Sequence, residues 1–248
     1  MSYRAIAALL ATLVVFSACT TTKQQIDTGF RAPTGSYRVI VMQPDVEVGQ
    51  LTAGGVVEPR EDWTRAARDN VLKALEAEQA AHGAAVKVAA TAADAGWDAS
   101  KTEDLITLNR AVGTAIERHK YGSQTLPTKE GRFDWTLGEE AVEFGAATHY
   151  DYALFIHASD SFSSGGRVAL QTIGALGCLV GACVVASGGQ QIVFASLADL
   201  KTGRIVWFNV LVSGSGDIRT ADGAKEMVSK LLATMNAEVV APVHEKPT

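Results

Sequence analysis

Basic residues are too few and too scattered in this 248-residue chain to build a nucleic-acid surface: Lys and Arg number 22 against 27 Asp and Glu, a net charge of -5. No stretch gathers them into the patch that displaces counterions from phosphates. Aromatic residues are scarce at 7%, which removes a stacking platform for single strands. Cysteine occurs only at Cys19, Cys178 and Cys183, and no C-x-x-C pair is among them. H-E-x-x-H is absent, and so is G-x-S-x-G; the "GSG" at Gly214 to Gly216 is the nearest approach, and it falls where a strand ends. The glycines of "TAGGVVEP" have no lysine and no immediately following helix, so they do not make a phosphate cradle.

The remaining polar clusters have ordinary readings. His149, His157, Asp151 and Asp160 lie close in sequence, but on a strand His157 and Asp160 point to opposite faces, so no shared metal is expected. Glu139, Glu140 and Glu143 fall in the first turns of a helix, where negative charge suits the helix dipole. Neither cofactor nor catalysis is expected from any of these residues.

What the chain does have is a core and a leader. Apolar residues make up 47% and charged residues 20%, ordinary proportions for a globular protein. The N-terminus reads "MSYR", then the apolar run Ala5 to Phe16, then "SAC". That run is too short to span a bilayer and has the build of a signal-peptide core. "FSAC" resembles the lipobox of bacterial lipoproteins, which implies cleavage after residue 18 and acylation of Cys19. By the same resemblance, Thr20 in place of an aspartate favours the outer membrane, with the body on its periplasmic face. Residues 19–36 read as a flexible tether with a reach of roughly 23 Å.

Residues 37–238 read as one α/β domain, and residues 239–248 as a frayed tail. Val39 to Met42 and Tyr152 to Ile156 are apolar on both faces, as in buried strands. Pro44 ends the first of these, and "GQLTAGGVVEPRE" follows as a loop. A helix after Asp62, its expected N-cap, carries Trp63, Ala67, Val71, Ala74 and Leu75 on one face. "AAVKVAA" is a short strand. Ser100 with Glu103, and Thr136 with Glu139, have capping-box spacing. The helices they start carry Leu105, Leu108, Val112 and Ile116, and Leu137, Ala141, Phe144 and Ala147. Two β-rich runs flank "DLKTGR", where Gly203 supplies the left-handed turn of a hairpin. A last helix begins near Thr220 or Asp222 and buries Ala224, Met227, Val228, Leu231 and Met235. Strands linked by helices are parallel or spaced apart, while the hairpin is antiparallel. The fold class is therefore a mixed sheet with helices packed against it, an α/β (α+β) arrangement with no internal repeat.

Between the central strand and the hairpin lies a glycine-rich apolar insertion. Val168 to Ala186 carries no charge and is long enough to cross a bilayer. Its glycines and Gln171 weaken it as a span, and "ALGCLVGACVV" lacks the alternation of a barrel strand. Gly177 and Gly181 give the G-x-x-x-G spacing that lets backbones approach. Three placements remain open: a bent helix or hairpin buried on the sheet, an exposed patch for self-association, a partner or the membrane surface, and a span. The patch residues are Leu176, Gly177, Leu179, Val180, Gly181, Val184 and Val185. Cys178 and Cys183 sit in an oxidising compartment and can pair only if the segment bends.

"THYDYALFIHASDSFSS" and "ASLADLKTGRIVWFNV", with Leu197, Asp199, Thr202, Gly203 and Trp207, resemble a group of bacterial envelope lipoproteins. The group includes the curli-secretion channel lipoprotein, the activator lipoproteins of penicillin-binding proteins and a neisserial surface lipoprotein family. Their core is similar to the N-terminal domain of TolB. The resemblance implies a TolB N-terminal-like, anticodon-binding-like fold and a non-catalytic role in envelope assembly or maintenance. The partners it implies are the membrane, through the lipid anchor, and envelope proteins or further copies of the chain. The alternatives are an oligomeric secretion or pore subunit, and an enzyme or small-ligand binder without a recognisable motif.

Overall fold

The structure is a computed structural model that describes residues 20–27, 30, 37–82, 86–178 and 187–238. Its strands are β1 (Thr20–Ile26), β2 (Val39–Val41), β3 (Asp45–Leu51), β4 (Val57–Pro59), β5 (Val86–Val88), β6 (Tyr152–Ser163), β7 (Gln191–Asp199) and β8 (Ile205–Ser213). The helices are α1 (Glu61–His82), α2 (Ala99–Ile116), α3 (Gly138–Thr148), α4 (Gly165–Cys178) and α5 (Ala221–Glu238). All eight strands form one mixed sheet, in the order β1-β8-β7-β6-β2-β5, with β3 on β6 and β4 on β3.

The central strand is β6, and its neighbours explain its composition. It runs antiparallel to β7 on one side and parallel to β2 and then β3 on the other. Ala153 to Ala158 are all buried, because helices cover both faces. On one side, α1 and α5 pack Val71, Leu75, Val228 and Leu231 over Leu154, Ile156 and Trp207. On the other, α2 and α3 set Leu105, Ile116 and Phe144 against Phe155, Phe194 and Phe208. The two-sided burial is why these strands read as continuous apolar runs.

Several elements depart from the sequence expectation. Pro44 closes β2, but the chain does not leave the sheet there. Val41 pairs with Leu154 and Asp45 with His157, so one extra residue bulges out and β3 resumes on β6. The supposed loop thereby contributes β3, with Val46 and Val48 buried and Glu47 exposed between them, and the short β4.

Thr20–Ile26, expected to belong to the tether, is instead the edge strand β1. It pairs with β8 from Thr20↔Ser213 to Ile26↔Trp207. Its β-branched threonines suit a half-exposed strand, and without it the outer edge of β8 would present unpaired peptide groups. The Asp27 carboxylate fixes its far end, accepting from Nε of Arg204 at 3.0 Å and from Nη2 of the same guanidinium.

Helix starts also move. The cap of α2 is Asp98, which accepts the Lys101 N–H at 3.0 Å, rather than Ser100. Its buried stripe is Thr102, Leu105, Asn109, Gly113 and Ile116, with Leu108 and Val112 only partly buried. Asp62 lies inside the first turn of α1 instead of before it. Thr136 Oγ1 accepts from the Gly138 N–H and donates to the Gly203 carbonyl, so it ties α3 to the hairpin turn. Ala147 is exposed. The hairpin itself forms as expected, with Gly203 at φ 69°. Residues 1–19, with Cys19, and residues 239–248 lie outside the described residues.

Candidate contact surface

One rim of the sheet holds the features that the core does not absorb. Thr20, Ser213, Gln191 and Asp160 pair in succession across β1, β8, β7 and β6, forming a row. Val48 of β3 continues the row beyond β6. Past it, β6 runs on to Ser163, β3 runs to Leu51, and the chain enters α4 and the β3–β4 turn.

Helix α4 begins because Ser164 caps it. The Ser164 Oγ accepts the Arg167 N–H at 3.2 Å, and its carbonyl accepts the Val168 N–H at 2.9 Å. The Ser164 N–H in turn donates to the Leu51 carbonyl, so the helix start is pinned to the end of β3. Arg167 completes the junction. Its guanidinium donates to the Ser187 carbonyl and hydroxyl, both at 3.0 Å, and to the Ala53 carbonyl at 3.4 Å.

The helix is apolar on its outward side. Val168 is 48% exposed, Leu170 43%, Ile173 65% and Leu176 60%. At 100° per residue, these four with Ala169 and Thr172 cover one broad arc. Arg167, Gln171 and Gly174 fall on the opposite arc, and they are the half-buried or buried positions. Gly188 lies against the Gln171 side chain there. Val56 and Val57, in and just after the β3–β4 turn, are 64% and 48% exposed. Together these six are the exposed large apolar residues among those described.

Of the residues named for the patch from sequence, Leu176 is exposed on α4. Gly177 and Cys178 close α4, while Leu179, Val180, Gly181, Cys183, Val184 and Val185 lie outside the described residues. In the described part of the insertion, 168–178, Val168, Leu170, Ile173 and Leu176 are exposed, while Gly174 is buried against the body. Among the described residues no helix is long and apolar enough to cross a membrane. The sequence reading missed Val56, Val57 and the polar back of α4; the spacing of Arg167, Gln171 and Gly174 was the available signal.

The titratable residues weighed from sequence separate in space. His149 ends α3 in a left-handed conformation, φ 61°. Asp151 accepts from the Arg38 N–H at 3.0 Å, the principal reason its pKa is lowered, and pairs with Lys201. His157 Nδ1 bonds Asp45 Oδ2 at 2.9 Å under Phe194. Arg110 of α2 lies 3.5 Å from the same carboxylate and also bonds Glu47. This network clamps α2 to β3 and β6.

Asp160 faces the other way. Its buried carboxylate accepts from Gln191 Nε2 at 2.9 Å, and burial pushes its pKa up to about 6. It borders a cleft of about 120 Å³ lined also by Gln191, Ser213, Ser215 and Gly216. Among the described residues no three His, Cys, Asp or Glu side chains come together to hold a metal ion.

No family model matches the chain, and no curated protein matches it. Among solved structures, the chain is similar to a PelC dodecamer from Paraburkholderia phytofirmans, with 14% identity and a TM-score of 0.39, over 90% of this chain and 99% of that one. It is also similar to the LpoB C-terminal domain from Salmonella enterica, with 13% identity and a TM-score of 0.27, over 76% and 88%.

Proposed function

We propose that this chain is a non-catalytic lipoprotein of the cell envelope, acylated on Cys19 and held on the periplasmic face of the outer membrane. It acts in envelope assembly or maintenance by contact rather than by chemistry. The observation that carries the reading is α4. A helix that turns Arg167, Gln171 and Gly174 toward the body and Val168, Leu170, Ile173 and Leu176 toward solvent is built backwards for water. Such a surface is found where something covers it.

The polar chemistry supports the same conclusion. Asp45, His157 and Arg110 are occupied by one another in a structural clamp. Asp160, with its raised pKa, is bonded by Gln191, and the nearby Asp217 is itself taken up by the Arg219 guanidinium. The lipobox resemblance supplies the anchor, and the start of β1 supplies its geometry. Cys19 is joined directly to Thr20, which stands at one end of the edge strand β1.

Metabolic labelling with radioactive palmitate tests the reading. The expected result is label in the wild-type polypeptide, none in Cys19→Ser, and recovery of the wild type with outer membranes. An unlabelled protein recovered from the soluble periplasmic extract would overturn it.

A further inference from the structure

We infer that the rim bearing α4 lies on the lipid bilayer, with α4 an interfacial helix whose Val168, Leu170, Ile173 and Leu176 enter the boundary between headgroups and acyl chains. The inference deepens the lipoprotein reading and rests on it for the anchor. Three placements converge on this occupant.

The first is the path of the chain. Residues 1–19 lie outside the described residues, and Thr20, the first described residue, opens β1. One peptide unit, about 3.8 Å, separates the Cα of Cys19 from that of Thr20. An acylated Cys19 therefore leaves the protein at this rim. Thr20 stands in the row with Ser213, Gln191 and Asp160. Three strand spacings of about 4.8 Å place β6 roughly 15 Å from β1. Three residues beyond the row β6 ends, and α4 follows. Lipid anchor and apolar helix thus share one end of the sheet.

The second is the length and charge of α4. At 14 residues the helix spans about 21 Å, short of the bilayer core of about 30 Å. It suits a helix lying in the interface plane. Its one charge, Arg167, sits in the first turn and is turned back onto Ser187 and Ala53. No charge on the outward arc opposes entry into lipid.

The third is the neighbouring turn. Val56 and Val57 are exposed on the hairpin to which Arg167 fastens α4. Exposed apolar side chains therefore occur on both elements joined at this end of the body. A second copy of the chain could also cover α4, but the anchor would already bring this end of every molecule to the bilayer.

The test uses the acylated full-length product in vesicles of phosphatidylethanolamine and phosphatidylglycerol. Ile173→Trp places an indole on the outward arc, and the wild type gives the background of the native tryptophans. The expected result is extra emission that is blue-shifted and quenched by brominated acyl chains, while Glu140→Trp, exposed in the first turn of α3 beside the hairpin turn at the opposite end of the sheet, stays unquenched. Flotation of the same samples reports the anchor separately. Protein that fails to float overturns the lipoprotein reading. Protein that floats with the Ile173→Trp emission unquenched overturns the interfacial helix, and so does photochemical crosslinking from this position to another copy instead of to lipid.

Discussion

Asp160 shows how a single side chain sets a pH dependence. Its carboxyl is buried at the end of β6, and desolvation outweighs the Gln191 and Ser161 hydrogen bonds, lifting its pKa to about 6. The fold therefore binds a proton that the unfolded chain has already released between pH ~4 and ~6. The contribution is present below the ordinary carboxylate pKa and is lost as pH rises to about 6. Asp160→Asn keeps an acceptor for Gln191 and removes the charge. It should stabilise the protein by on the order of 2 kcal/mol at pH 7.5 and by little at pH 3.5, in denaturant titrations at the two pH values. Equal effects at both would show that the buried charge is not the cause. Gly113 makes the steric case. It faces the Phe194 ring from α2, where an added Cβ would collide, and Phe194 is itself held between Phe208 and His157. Gly113→Ala should cost roughly 1–3 kcal/mol, measured by thermal unfolding.

At the scale of elements, the surfaces of α4 and α2 invert one another. In α2 the buried stripe faces the sheet, with Asn109 accepted into it because its side chain bonds Ser196. In α4 the apolar arc faces away from the sheet. Ile173→Ser with Leu176→Ser should therefore leave the unfolding free energy within about 0.5 kcal/mol of wild type, whereas a core helix would lose several. A large loss would mean that α4 packs on the body. The core strands and helices were legible because an uninterrupted apolar run marks β6, buried on both faces, and a 3.6-residue period persists through α1 and α5. What escaped did so for local reasons. Thr20–Ile26 is polar enough to resemble a linker, and only the open edge of β8, far along the chain, makes it a strand. Pro44 marked an end to pairing, but the bulge lets β3 return to the same neighbour. The apolar insertion was visible as a surface candidate. Its inward polar stripe needed the positions of Ser187 and Ala53, which the sequence does not place beside Arg167.

For the whole molecule, the three layers put the core between α1 and α5 on one side and α2 and α3 on the other, leaving one rim to carry α4 and the start of β1. Orientation follows from that arrangement. If the anchor leaves from Cys19 and the sheet begins at Thr20, the body has no slack with which to stand off the membrane, and α4 meets the lipid. The most direct measurement is neutron reflectometry of the acylated protein on a supported bilayer. The account predicts protein density beginning within the headgroup layer, with no solvent gap. A water-filled layer of roughly 20 Å between headgroups and protein, the span of a flexible linker over residues 19–36, would contradict it.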